Sequence, residues 1–184
     1  MKRRCLLVLL LPLAILFAAP ALAFEKVTPS QAYALATDDP NAYILDVRTA
    51  AEWQWVGHPG KNKAGDGAEL EGKVVNVSWM IERKGAMIVN PSFLSDVDEI
   101  FQRQADVLLI TLCRSGSRST AAALRLEEAG YKVAEISVGF EGGTDQYGYR
   151  TVNGWKVEGW PYNFSATGAY TLDNRGFHYG HRND

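Results

Sequence analysis

The sequence predicts an α/β fold in which helices flank a parallel β-sheet, and the order of its apolar segments is the main evidence. Strand-like runs at 43–47, 73–78, 106–112 and 132–138 alternate with helix-like segments, as in proteins built from βαβ units. The last two runs enclose a loop and a helix, which implies a right-handed crossover between parallel strands. The chain has 184 residues, 47% of them hydrophobic, which is enough for one compact domain and marginal for two.

The first 23 residues have the pattern of a secretory signal. Basic residues at 2–4 precede an apolar run at 5–19, and a small-residue cleavage sequence ends at Ala23. An uncleaved membrane anchor is the alternative, but the run is shorter than the ~20 residues of a spanning helix. Pro12 and Pro20 also interrupt it. We therefore expect cleavage after Ala23 and a periplasmic or secreted protein with no membrane association.

Removal of this segment changes both the charge and the cysteine content. The net charge falls from −2 to −5, because three basic residues and no acidic ones are lost. An acidic protein is a poor candidate for nucleic-acid binding, which depends on phosphate neutralisation. Cys5 is also lost, so Cys113 becomes the only cysteine and no intramolecular disulfide can form. A lone cysteine is either a buried apolar residue, a site of intermolecular pairing or a reactive group.

Local signals place the elements of the N-terminal half. Thr28, Pro29 and Gln31 form the start of a helix, with an N-cap, a proline at the first helical position and a capping-box glutamine. Residues 38–41 end that helix before the strand at 43–47.

The next elements are read in the same way. Residues 50–55 look like one or two helical turns, and 57–72 is rich in glycine and charge without periodicity, which indicates a long loop. A helix opens at 90–92 and presents apolar residues near a 3.6-residue period. A further helix over 119–129 stops at Gly130.

Cys113 follows the most hydrophobic run of the mature chain, at the C-terminal end of a predicted parallel strand. Ligand sites of open α/β sheets lie at this edge. The loop after it can direct backbone N–H groups at an anion, and the next helix adds the positive end of its dipole. Arg114 and Arg118 would favour the thiolate and pair with oxyanions. The plainer reading is a solvated connecting loop with Cys113 packed as a small apolar residue.

Three segments together resemble a single-domain rhodanese of an exported subgroup. They are Cys-Arg-Ser-Gly-Ser-Arg at 113–118, Asp-Val-Arg at 46–48 and Gly-Phe-Glu-Gly-Gly at 139–143. The similarity covers most of 27–143. It implies a cysteine that takes sulfane sulfur from a donor such as thiosulfate, holds it as a persulfide and passes it to cyanide or a thiol.

The resemblance also assigns roles to individual residues. Cys113 would be the persulfide carrier, and Asp46 and Arg48 would lie beside the active-site pocket as support. The donor, a small sulfur-containing anion, would be bound by the loop residues Arg114, Ser115, Gly116, Ser117 and Arg118. No metal or organic cofactor is expected, because the persulfide is the carrier. The acceptor, an unknown thiol or protein, and the oligomeric state are not specified by the sequence.

Two segments depart from the family pattern. Residues 59–72 lengthen the usual spacing after His58, and we expect this insertion to form a lid or a partner surface. We expect His58 itself to be more structural than catalytic. Residues 144–164 form an extension with many aromatic residues, which we expect to pack on a domain spanning 24–164. The order of 165–184 is left open. His178 and His181 in that tail lack the further ligands of a metal site.

Two other functions compete with sulfur transfer. Cysteine phosphatases and arsenate reductases use Cys-x5-Arg, whereas Arg118 gives Cys-x4-Arg and Ser119 occupies the x5 position. The shorter loop makes a smaller pocket, so a phosphatase is less favoured. A non-catalytic module that binds an anion or a partner would keep the fold without needing the thiol.

Overall fold

The computed structural model describes residues 24–164 and 169–171. Predictions about the signal segment 1–23, and about the tail including His178 and His181, lie outside the described residues. The strands, in chain order, are β1 (Glu25–Val27), β2 (Ala42–Asp46), β3 (His58–Pro59), β4 (Val74–Asn76), β5 (Met80–Arg83), β6 (Ala86–Val89), β7 (Leu108–Leu112), β8 (Lys132–Ile136), β9 (Gly143–Thr144), β10 (Arg150–Val152), β11 (Tyr162–Asn163) and β12 (Ala169–Thr171). The helices are α1 (Pro29–Asp38), α2 (Ala50–Val56), α3 (Phe93–Phe101) and α4 (Ser117–Glu128), with a 3₁₀ turn at Ala68–Leu70.

A parallel sheet forms the centre of the molecule. Its strands pair in the order β1-β8-β7-β2-β4-β12, and every neighbouring pair is parallel. Strand β7 lies in the interior, between β8 and β2, as its hydrophobic run predicts. The predicted α/β fold class is confirmed.

Helices cover both faces of this sheet and enclose two apolar layers. Along a strand, successive side chains alternate between the faces, so Leu45 and Leu109 join one layer while Ile44 and Ile110 join the other. Helices α3 and α4 close the first layer, and α1 and α2 close the second. No helix within the described residues has the length and apolarity needed to cross a bilayer.

Capping boxes start the first two helices. Thr28 accepts the Gln31 N–H at 3.2 Å, and the Gln31 side chain accepts the Thr28 N–H at 2.9 Å, as the sequence predicts. Thr49 and Glu52 form the same arrangement at the start of α2. In each pair the side chains accept from backbone N–H groups that otherwise have no acceptor at a helix N-terminus.

Several elements differ from the sequence prediction. Helix α4 begins at Ser117 rather than at residue 119, which brings its first turn into the loop after Cys113. The segment 57–72, predicted as a loop, contains β3 and the 3₁₀ turn. Strand β1 and the β5–β6 hairpin were not predicted.

Only part of the aromatic extension packs on the domain. Trp155 is fully buried, its Nε1 donates to the Pro161 carbonyl at 2.9 Å, and its ring lies near that of Tyr33. Tyr147 and Tyr149 are exposed instead, contrary to the prediction. The reason is that they lie in a turn closed by an aspartate side chain, away from the apolar layers.

Candidate active site

Cys113 lies between the end of β7 and the start of α4, at the carboxyl edge of the parallel sheet. Its side chain is 1% exposed. Strand β2 ends beside it, because Asp46 and Leu112 are partners in the register of β2 and β7. The backbone carbonyls of Cys113 and Arg114 accept the N–H groups of Phe140 and Glu141, at 2.8 and 2.9 Å. The segment after β8 therefore holds the loop 113–118, called the Cys113 loop below.

Two glycines allow this close approach. Gly116 has φ +105°, and a Cβ at this position would lie 2.3 Å from the Ser137 carbonyl oxygen. Gly139 has φ +71°, and its Cβ would lie 2.6 Å from the backbone of Arg114. Both positions combine a left-handed backbone with contact to another chain segment, so side chains are excluded there.

The sulfur of Cys113 accepts hydrogen bonds from two groups of the loop and helix. The Gly116 backbone N–H lies 3.1 Å from Sγ, and the Ser119 hydroxyl lies 3.4 Å from it. The first-turn N–H groups of a helix have no acceptor within the helix. In α4 no N-cap side chain accepts from them either. The Gly116 N–H, the Ser119 hydroxyl and the positive end of the helix dipole all lie on the side of the sulfur that faces α4.

The predicted loop residues do not all face the sulfur. Arg114, Ser115 and Ser117 are exposed, at the mouth of the loop, whereas Gly116 is buried. The Arg118 guanidinium is held by Glu52 of α2, through hydrogen bonds of 2.7 and 2.6 Å. One of the two arginines of the loop is therefore already paired with a carboxylate.

The Glu52–Arg118 pair is partly buried and strongly coupled. Burial alone would raise the pKa of Glu52, but the hydrogen bonds and charge of Arg118, together with hydrogen bonds from Thr49, lower it from 4.5 to about 2. The hydrogen bonds to Glu52 raise the pKa of Arg118 despite its burial, and the sulfur of Cys113 and the Asp46 carboxylate add smaller contributions in the same direction. Both groups are charged over the whole physiological range.

Asp46 and Arg48 form a second ion pair beside the site. Both side chains are fully buried, and the Arg48 Nε donates to the Asp46 carboxylate at 2.9 Å. Arg48 also donates to the Gly57 carbonyl at 2.8 Å, and its guanidinium lies over the Phe140 ring, 4.1 Å from the centroid. The pair thus links the end of β2 to α2 and to the segment that holds the Cys113 loop. A supporting position fits this geometry better than direct contact with a substrate.

Sequence reasoning missed three side chains around the loop. Glu52 could have been found as the fourth residue of a Thr-x-x-Glu capping box, although its pairing with Arg118 could not. Ser119 was noted only for its spacing from Cys113. Glu135 lies in β8 between apolar residues, where its side chain is fully buried and accepts a hydrogen bond from Ser119 at 3.0 Å. An acidic residue inside an apolar strand is the signal that marks it.

His58 and the neighbouring insertion lie outside the Cys113 loop. His58 is buried and stacks on Trp53, with ring centroids 3.8 Å apart, which fits the structural role predicted for it. The described residues contain no cluster of three or more groups able to hold a metal ion. The insertion packs on the extension through the β3–β11 pair, and the two segments line an open cavity of about 660 Å³. That cavity has no lining residue from the Cys113 loop.

Comparison with known proteins gives a consistent picture of the fold. A family model described as "Rhodanese-like domain" matches residues 28–146. An uncharacterized protein from Rickettsia conorii is 32% identical over 141 residues, which cover 76% of this chain and 98% of that protein. The crystal structure of Rv0390 from M. tuberculosis is 36% identical, covers 77% of this chain and 98% of its own, and superposes with a TM-score of 0.62.

"Senescence-associated protein DIN1" from Raphanus sativus is 33% identical over 97 residues, covering 52% of this chain and 45% of that protein.

Proposed function

Because the chain belongs to the rhodanese-like domain family, we propose that it transfers sulfane sulfur through a persulfide on Cys113. The observation that carries the proposal is the position of the Cys113 sulfur. It lies at the start of α4 and receives the Gly116 N–H and the Ser119 hydroxyl. Such donors stabilise a thiolate, which is the nucleophilic form of cysteine.

The first half-reaction loads the sulfur atom. The Cys113 thiolate attacks the outer sulfur of a donor such as thiosulfate, and a new S–S bond forms. The bond inside the donor breaks, and its electron pair leaves with sulfite. Cys113 then carries a persulfide, whose terminal charge stays near the Gly116 N–H and the start of α4. A cysteine that attacks as the thiolate requires no general base.

The second half-reaction returns the enzyme to its starting state. A thiophilic acceptor, cyanide or a thiolate, attacks the terminal sulfur, and the electron pair of the S–S bond returns to Cys113. Cyanide would leave as thiocyanate and a thiol as its persulfide. Arg114, exposed at the mouth of the loop, is the cation available to attract the donor anion.

The loop geometry supports sulfur transfer over phosphoryl transfer. A phosphatase arginine must grip the oxygens of a phosphoryl group beside the nucleophile. Here the Arg118 guanidinium has both of its terminal nitrogens bonded to the Glu52 carboxylate. The Gly116 N–H and the Ser119 hydroxyl are left as the donors near the sulfur, and these suit a single charged atom.

The proposal is tested by comparing wild type with Cys113→Ser in a thiosulfate and cyanide assay. Wild type should form thiocyanate, and the serine variant should lose this activity while keeping its circular dichroism and unfolding midpoint. A non-catalytic anion-binding module would instead give a folded wild type without turnover and an unchanged anion affinity in the variant. Hydrolysis of p-nitrophenyl phosphate at a rate rivalling thiocyanate formation would favour a phosphatase.

We further propose that the protein acts in the periplasm or as a secreted protein after removal of residues 1–23. Its partners would be a small sulfur-containing anion as donor and a thiol or protein thiol as acceptor, without nucleic acid or membrane. Intact mass of the exported chain tests the location. A mature protein that begins at Phe24 agrees with the proposal, and a cytoplasmic full-length chain contradicts it.

A further inference from the structure

The ion pair between Glu52 and Arg118 lies beside the nucleophile, and the proposed reaction does not use it. Arg118 is in the first turn of α4, between Gly116 and Ser119, which both contact the Cys113 sulfur. Its two terminal nitrogens donate to the two oxygens of the Glu52 carboxylate, at 2.7 and 2.6 Å. A bidentate pair of this kind is among the stronger charge-assisted contacts in proteins.

Glu52 is also held in place without Arg118. Its Oε2 accepts the Thr49 N–H at 3.1 Å and the Thr49 hydroxyl at 2.9 Å, in the capping box that starts α2. Trp53, the next residue of that helix, is buried in an apolar layer of the domain. A donor anion that took over Arg118 would therefore have to displace a carboxylate that the helix start keeps in position.

The arginines around the sulfur differ in whether a carboxylate neutralises them. The surrounding segments 46–57, 113–120 and 137–142 contain no lysine, and their arginines are Arg48, Arg114 and Arg118. Arg48 is paired with Asp46, and Arg118 is paired with Glu52. Arg114 has no ion pair within these segments and is exposed at the mouth of the loop.

Two further carboxyl groups lie in the same region. Glu135 accepts from the Ser119 hydroxyl at 3.0 Å, and the Glu141 N–H donates to the Arg114 carbonyl at 2.9 Å. Neither group adds a positive charge. Within the three segments, an incoming donor therefore meets one cation without a carboxylate partner, which is Arg114.

This charge balance makes the number of charges on the donor important. Thiosulfate carries two negative charges, whereas an organic persulfide or thiosulfonate carries one. Coulomb attraction grows with the charge of both partners, so a second charge on the donor gains little from an arginine that is already neutralised. The same second charge still loses hydration when the donor enters the loop.

We propose that Glu52 is a specificity-determining residue, which neutralises Arg118 and thereby makes singly charged organic persulfides and thiosulfonates better sulfur donors than the thiosulfate dianion. The inference rests on the proposed function, because it names the donor class of the same reaction. The Cys113 thiolate attacks the terminal sulfur of R–S–S⁻ and forms a new S–S bond. The S–S bond of the donor breaks, and its electron pair leaves with R–S⁻. Thiosulfate loads Cys113 by the same step, with sulfite as the leaving group, but more slowly.

The rate of sulfur loading tests this selectivity. Second-order rate constants are measured by intact mass with thiosulfate and with the monoanion benzenethiosulfonate. The two donors differ in intrinsic reactivity, so the quantity compared among variants is the ratio of the thiosulfate constant to the benzenethiosulfonate constant. Glu52→Gln frees the charge of Arg118 and should raise this ratio about tenfold, an increase that salt at about 1 M should largely remove. The control Glu128→Gln, in an exposed pair of α4, should keep the wild-type ratio.

A double variant separates charge from damage to the structure. Glu52→Gln combined with Arg118→Gln removes one charge of each sign, so its ratio should return to the wild-type value. An unchanged or lowered ratio in Glu52→Gln, or a double variant that keeps the raised ratio, would overturn the proposal while sulfur loading itself still supports the proposed function. Folded wild type that gains sulfur from neither donor would refute the proposed function, and the selectivity with it.

Discussion

Replacement of Glu52 by glutamine should remove one charge from the site while keeping the start of α2 intact. Glutamine can serve as the third helical residue of a capping box, as Gln31 does in α1 of the same protein. The variant therefore isolates the pairing with Arg118. It tests whether the Glu52–Arg118 ion pair, which joins α2 to the Cys113 loop, stabilises the folded protein.

The size of the effect follows from the pKa of Glu52. A fall from 4.5 to about 2, at about 1.4 kcal/mol for each pH unit, sets a ceiling of about 3 kcal/mol on the stabilisation. The Glu52 side chain is 22% exposed, so solvent screening reduces the expected loss to about 1–2 kcal/mol. The folded pKa lies below the unfolded one, so the contribution is complete above about pH 4.5 and is lost as the pH falls toward 2.

Urea unfolding followed by tryptophan fluorescence measures this contribution. At pH 7 the free energy of unfolding of Glu52→Gln should be lower than that of wild type by about 1–2 kcal/mol. At pH 3 the difference should shrink to roughly half or less. A difference that is equal at both pH values would refute the reasoning, since the loss would then not come from the ionised carboxylate.

Three further changes probe the neighbouring parts of the site. Asp46→Asn should lower the free energy of unfolding, measured in urea, by about 3–5 kcal/mol, because Arg48 is left buried and unpaired. The control Glu128→Gln breaks an exposed ion pair and should change the free energy of unfolding little. Gly116→Ala should abolish sulfur uptake from thiosulfate, measured by intact mass, because its Cβ would displace the Ser137 carbonyl and with it the Gly116 N–H. Trp155→Phe should lower the thermal unfolding midpoint, because it removes the hydrogen bond to the Pro161 carbonyl, which contributes about 1 kcal/mol. The rate of thiocyanate formation should not change.

The parts of the site that sequence could predict are local in the chain. The strand before Cys113, the loop of small and basic residues and the helix after it lie within about thirty residues, so hydrophobic pattern and spacing are enough to place them. The β5–β6 hairpin was equally local and could have been found. Its two strands flank Lys84 and Gly85, both with positive φ, as two-residue hairpin turns require.

The parts that could not be predicted depend on contacts between distant segments. Glu52 and Arg118 are 66 positions apart, and a single sequence gives no signal that they meet. Arg118 was therefore expected to grip the substrate, whereas the fold directs its guanidinium to α2. Glu135 was visible as an acidic residue in an apolar strand, but its link to Cys113 depends on the first turn of α4 starting earlier than predicted.

The most direct test of sulfur transfer is the intact mass of the folded, reduced protein after treatment with thiosulfate. Wild type should gain one sulfur atom, cyanide should remove that atom, and Cys113→Ser should show no gain. Wild type that stays at its original mass, or the same gain on the serine variant, would contradict a persulfide on Cys113.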